Sequence, residues 1–187
     1  AVRLADEFFS DLTVNCGVKI MCIAGNHDSP ERLSFASRLC ESGGLYICGK
    51  LDKNGAKKIT MTDKYGNVNF YLLPYFDPVS VRVFFKNDDI RTFNDAYRFL
   101  VDMVNQGLDV NERNIITAHG NFSFISDEKA TEALYEQGEQ SAGGADIVNA
   151  AVFEPFDYAA LGHIHAPKRI GKDNIRYSGS LLKYSVD

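Results

Sequence analysis

With 187 residues, 45% apolar content and 13 Phe, the chain is long enough to bury a core as a single domain. No apolar run reaches the roughly 18 residues of a membrane-spanning helix, and Asp6, Glu7 and Asp11 without a basic stretch exclude a secretory signal reading. A net charge of −5 excludes a broad nucleic-acid-coating surface but leaves room for a site whose positive charge comes from bound metal ions.

In chain order, residues 1–14 place Val2, Leu4, Ala5, Phe8, Phe9 and Leu12 at helical spacing and predict an amphipathic helix. Residues 18–24 predict an apolar strand. Ser29-Pro30-Glu31 is a helix-start signal, and a helix is expected over 31–41, closed by Gly43-Gly44. Three short strands are expected at 45–51, 57–63 and 68–75. Asn54-Gly55 and Tyr65-Gly66-Asn67 would supply antiparallel turns between them. A second helix is predicted over 91–106, then a buried strand at 115–118. The polar, Glu- and Gly-rich stretch 127–146 predicts a helix and loop, with Glu128, Glu132, Glu136 and Glu139 on a solvated face. Strands at 158–161 and 175–178 flank a turn at Gly171-Lys172-Asp173. The four cysteines, Cys16, Cys22, Cys40 and Cys48, fit no zinc pattern and predict small buried thiols in a reducing cytoplasm.

All four histidines follow apolar strands. Residues 20–24 lead into Gly25-Asn26-His27-Asp28, 114–118 into His119-Gly120, and 158–161 into Gly162-His163-Ile164-His165. Open α/β sheets place chemistry at strand ends, where a rigid strand fixes the backbone and the next loop is free to bind. The Asn26 amide oxygen is a hard ligand suited to manganese or magnesium, and imidazoles complete a divalent site. His27 is then free for acid work, oriented by the Asp28 carboxylate. Gly162 is expected to permit a tight turn that aims both following imidazoles at one point. The plainer alternative is a set of satisfied core histidines with Asn26 as a turn residue.

These motifs resemble the third to fifth motifs of the calcineurin-like metallophosphoesterases. The run Asp157 to His165, followed by Ile175-Arg176-Tyr177-Ser178-Gly179-Ser180, closely resembles the SbcD-type nuclease subunits within that superfamily. The resemblance implies an α/β sandwich of two sheets flanked by helices. It implies two divalent ions, usually manganese with magnesium as the substitute, which clamp a phosphate and activate water. Asn26, His119 and His163 would ligate one ion and His165 the other. His27, held by Asp28, would stabilise the transition state or protonate the leaving oxygen. The implied partners are DNA and an SbcC-like coiled-coil ATPase, with a homodimer in the full-length protein, in the cytoplasm and away from membranes.

The family's first two motifs, an Asp-x-His and a Gly-Asp-x-x-Asp, do not occur in these residues. Residues 1–187 are therefore expected to be a partial metallophosphoesterase domain, lacking its first strands and, beyond Asp187, a capping region. Weak metal binding and no nuclease activity are expected of this piece alone. Two further readings remain: a phosphatase of small molecules or phosphoproteins, and a non-catalytic partner-binding module. Lys168, Arg169, Lys172, Arg176 and Lys183 form a basic strip that either tracks DNA phosphates or keeps an edge strand soluble. Phe122 and Phe124 are expected in the core rather than as base-stacking platforms.

Overall fold

The computed structural model describes residues 2–124 and 147–181, so the stretch 127–146 with its glutamates, and Lys183, lie outside the described residues. Helix α1 (Val2–Ser10) runs on into a wider π turn (Asp11–Asn15). Strand β1 (Ile20–Ile23) is followed by two short helices, α2 (Pro30–Ser34) and α3 (Ser37–Ser42), and then by β2 (Leu45–Cys48). The single helix expected over 31–41 is broken between α2 and α3. Ser34 Oγ donates to the Pro30 carbonyl at 2.7 Å, Phe35 ends the first helix in extended backbone at ψ 130°, and Ala36 takes a left-handed φ of 56° before α3 begins.

β2 pairs in parallel with β1, in the register Ile20 to Leu45 and Ile23 to Cys48. It is therefore not the first member of an antiparallel meander, as the Asn54-Gly55 signal suggests. That turn closes only an isolated bridge between Asp52 and Gly55. The antiparallel arrangement holds for the next two strands, β3 (Lys57–Asp63) and β4 (Gly66–Leu72).

Helix α4 (Pro78–Phe85) is not expected from periodicity. Asp77 caps it by accepting the Ser80 N–H at 2.9 Å, and Pro78 occupies the first turn. Helix α5 (Phe93–Asn105) has a full capping box, Thr92 with Asp95, and buries Ala96, Tyr97, Leu100, Val101 and Val104. The remaining strands are β5 (Arg113–His119), β6 (Asn121–Ser123), β7 (Ile147–Asn149), β8 (Tyr158–Gly162), β9 (Lys168–Ile170) and β10 (Lys172–Tyr177).

Six strands form one mixed sheet in the order β3-β4-β5-β8-β10-β9, while β1-β2 and β6-β7 are separate parallel pairs. β4, β5, β8 and β10 run parallel, so their C-terminal ends share one edge. β1 lies against β4 and β5, and the Tyr75 N–H donates to the Ala24 carbonyl at 2.8 Å. That bond ties the end of β1 to the same edge. The architecture is the mixed α/β class expected, and no helix among the described residues is long and apolar enough to cross a membrane.

The core lies between the main sheet and α5, and is built from aromatic contacts. Phe76 packs on Tyr97 at 4.6 Å, Tyr97 on Phe122 at 5.0 Å, and Phe122 on Phe153 at 4.9 Å between ring centres. Phe122 is buried as expected, and Phe124 is half-buried and packed against this core. Full burial of each large side chain contributes about 1.5–3 kcal/mol. The cysteines differ from expectation: Cys48 is buried, Cys22 and Cys40 are half-buried, and Cys16 is exposed at the end of the π turn.

Candidate metal centre

The site forms where the ends of β1, β5 and β8 meet. Parallel pairing of β5 with β8 sets His119 opposite Gly162, so the loop carrying His163 begins beside the His119 ring. The Gly25–Asp28 turn comes from β1 and closes on itself. Asp28 Oδ2 accepts the Gly25 N–H at 2.8 Å, and the Asp28 N–H donates to the Gly25 carbonyl at 3.2 Å. This turn presents Asn26, whose Oδ1 lies 2.9 Å from His119 Nε2. The His163 ring stands edge-on to His119, 5.4 Å between centres.

Two glycines make room for the His119 ring. A Cβ at Gly25 would sit 2.8 Å from His119 Cε1, and one at Gly162 would sit 2.9 Å from His119 Nδ1. The expectation for Gly162 is an unusual turn. Instead it supplies space, and the strained residue is His163 itself, at φ 106°. Non-glycine residues in that region cost of order 1–3 kcal/mol and persist where the surroundings hold them.

Further anchors are not evident from the sequence. The Tyr97 hydroxyl donates to the His119 carbonyl at 2.8 Å. The Tyr177 hydroxyl donates to the Gly120 carbonyl at 2.7 Å and accepts the Phe122 N–H at 2.7 Å. Ser180 donates its N–H to the His165 carbonyl at 2.8 Å, and a Cβ at Gly179 would collide with that carbonyl at 2.8 Å. Buried tyrosines need a partner for the hydroxyl, and here the His119 and Gly120 carbonyls supply it.

Burial holds the His119 imidazole down to a pKa of about 4, helped by His163 and, more weakly, His27 and His165, while Asp28 opposes. His119 is thus neutral at pH 7, the form that donates a ring lone pair. His27 and Asp28 are exposed in the turn, Asn26 beside them faces the same opening, and His165 is exposed after His163. His119 is brought against both Asn26 and His163, whereas His27, Asp28 and His165 lie within electrostatic reach of His119. Among the described residues, no three His, Cys, Asp or Glu side chains converge on one point. The close set is two imidazoles and an amide oxygen, which fits part of the shell of one divalent ion.

The basic strip is partly neutralised. Arg169 and Arg176 both reach Asp173, at 2.8 Å and 3.6 Å, and Lys172 reaches Glu154 at 2.8 Å. Lys168 and Arg169 are exposed on β9, at the edge of the main sheet.

The sequence pattern of the Calcineurin-like phosphoesterase family matches residues 2–167. The chain belongs to the calcineurin-like phosphoesterases. This phosphoesterase chain is also 31% identical over 185 residues to the SbcD component of the nuclease SbcCD from Staphylococcus epidermidis, across 99% of its own length. It spans about half of that relative, 46% of its length.

Proposed function

We propose that this phosphoesterase chain is part of a nuclease that hydrolyses DNA phosphodiester bonds with two divalent ions, manganese foremost. The single observation that carries the reading is His119 at a strand end with Asn26 Oδ1 2.9 Å from its Nε2 and the His163 ring edge-on to it. Asn26, His119 and His163 would hold one ion and His165 would contribute to the second. The second ion's remaining ligands, on this reading, come from the Asp-x-His and Gly-Asp-x-x-Asp motifs that these residues lack. Such ions supply Lewis-acid stabilisation to a phosphoryl oxygen and make water a nucleophile near neutral pH.

The chain's own side chains perform the rest. The neutral His119 lends its lone pair without first losing a proton. Asp28 fixes the turn that aims Asn26. His27, exposed beside Asp28, donates a proton to the leaving oxygen or stabilises charge on the phosphoryl group. Lys168 and Arg169 would guide the strand through phosphate contacts, weakened by the Asp173 pairing of Arg169. The relative's name joins a second component, and we extend that to this chain as an SbcC-like coiled-coil ATPase partner, a homodimer, and a cytoplasmic role in double-strand-break processing.

A phosphatase of small molecules or phosphoproteins would use the same cluster, so substrate is the discriminating variable. The test measures manganese-dependent cleavage of linear duplex DNA beside a generic phosphomonoester. It uses the chain alone and joined to an upstream segment bearing the two further motifs. Cleavage of DNA by the joined form, lost in His27→Ala, is the expected result. Monoester turnover without DNA cleavage would move the chain to the phosphatase reading.

A further inference from the structure

A cavity of about 500 Å³ opens directly off the candidate metal centre, with Gly25, Asn26 and Asp28 forming one wall. Tyr75, Phe76 and Leu51 line it, together with Phe84 of α4. Tyr75 also meets the His119 ring edge-on, 6.1 Å between centres, so this space and the imidazoles share a boundary. The volume lies within the usual range for pockets that take a small organic group.

The charged groups around the cavity are already engaged. Lys50 Nζ lies 3.5 Å from Glu31 Oε1. The Asp77 carboxylate accepts from both the amide and the hydroxyl of Ser80. Among the described residues, three carboxylates stand against one paired lysine, so this lining does not suit a second phosphate. It offers aromatic and aliphatic faces next to a place that suits one.

Phe84 is 52% exposed although it is a large apolar side chain on a short helix. Its ring is braced rather than loose. It sits edge-on against Phe85 at 4.9 Å, and Phe85 in turn against Phe99 at 5.1 Å. A braced, half-exposed aromatic ring beside a phosphodiester site is a stacking surface, and base stacking tolerates any sequence because every base has a π-face. We propose that the cavity receives one unstacked nucleobase of the substrate strand, adjacent to the phosphodiester at the His119 cluster, with Phe84 and Tyr75 as its aromatic walls.

The proposal rests on the phosphodiesterase reading for the position of the phosphate, and its test separates the two. The chain contains no Trp, so Phe84→Trp places a single fluorescent reporter at the cavity. That variant is titrated with deoxyadenosine 5′-monophosphate, with deoxyribose phosphate lacking a base, and with O-phosphotyrosine. Saturable quenching by the nucleotide alone is expected. Phe84→Ala, at a half-exposed position that leaves the fold intact, should weaken nucleotide binding by about tenfold in calorimetry. Equal responses to the sugar phosphate or to phosphotyrosine, or no response at all, would overturn the nucleobase assignment. Quenching together with no DNA cleavage by the form joined to the upstream motifs would support the cavity's role while removing the nuclease reading. DNA cleavage with a silent reporter and no effect of Phe84→Ala would do the reverse.

Discussion

Gly162 lies opposite His119 in the parallel pairing of β8 with β5, and a Cβ there would meet His119 Nδ1 at 2.9 Å. The glycine is thus a mould for the imidazole. Its neighbour His163 carries the backbone strain, so the two residues divide the work of placing two rings side by side.

From that relationship, Gly162→Ala should push the His119 ring away from Asn26. The collision is with a side chain that can rotate, so the fold should survive. Supporting groups around metal ligands typically cost about 10–100-fold in metal affinity when altered, and a loss of that size is expected for manganese. Calorimetric titration, with circular dichroism as the control for folding, measures it. An unchanged affinity would show that the ring has room elsewhere.

At the opposite end of the sheet two buried asparagines form a polar network. Asn114 is 1% exposed and Asn69 fully buried. Asn114 Nδ2 donates to the carbonyls of Asp109 and Glu112 at 2.8 Å each, and its Oδ1 accepts from Asn69 at 3.1 Å. Asn114→Ala removes these bonds at a buried position and should cost about 1–3 kcal/mol in denaturant unfolding. A loss well under about 1 kcal/mol would mean that water replaces the side chain.

Helix α5 should depend on its first turn. Thr92 accepts the Asp95 N–H at 3.1 Å, and Asp95 accepts the Thr92 N–H at 2.9 Å. Thr92→Ala should lower stability by about 1 kcal/mol, and Thr92→Ser should restore most of it. The unfolding midpoints of the two variants decide the point.

Alkaline pH should destabilise the protein through two buried groups. Burial pushes the Cys48 thiol from 9.0 up to about 11 and raises the Tyr97 hydroxyl well above its ordinary value. A raised folded-state pKa gives stability that is complete below the unfolded value and is lost as pH rises through the folded one. Stability should therefore fall as pH climbs from about 9 to about 11. Cys48→Ala should flatten part of that decline, and thermal melts across the range give the comparison. Parallel decline in both proteins would leave Cys48 without a part in it.

The sequence and the structure agree where a single physical signal dominates. β5 and β8 are apolar runs ending in His and Gly, and α5 combines helical period with a capping box, so each is legible. The break at Ala36 is not, because no Gly or Pro marks it and the left-handed residue is an alanine. β6, β7 and β9 are three residues each, too short for a period to register. α4 does carry a signal in Asp77, Pro78 and Ser80, which the apolar run reaching Tyr75 obscures. β2 pairs with a different neighbour than expected because strand pairing is decided by which faces are buried. A turn dipeptide speaks only for the residues beside it.

At the site, the donor types are readable because imidazoles and an amide after strands are uncommon. Mutual placement is not readable in the same way. The contact between His119 and Asn26 joins residues 93 positions apart and depends on the register of two sheets. The tyrosine anchors belong to the core as much as to the site, so nothing in the sequence separates them from ordinary packing residues.

The most direct measurement is a manganese titration of the chain and of His119→Ala, followed by calorimetry and by the resonance of the free ion. A centre built on Asn26, His119 and His163 predicts saturable binding that weakens at least about tenfold in the variant. Equal affinity in both proteins would contradict it, and the imidazole cluster would then be no more than a packed sheet edge.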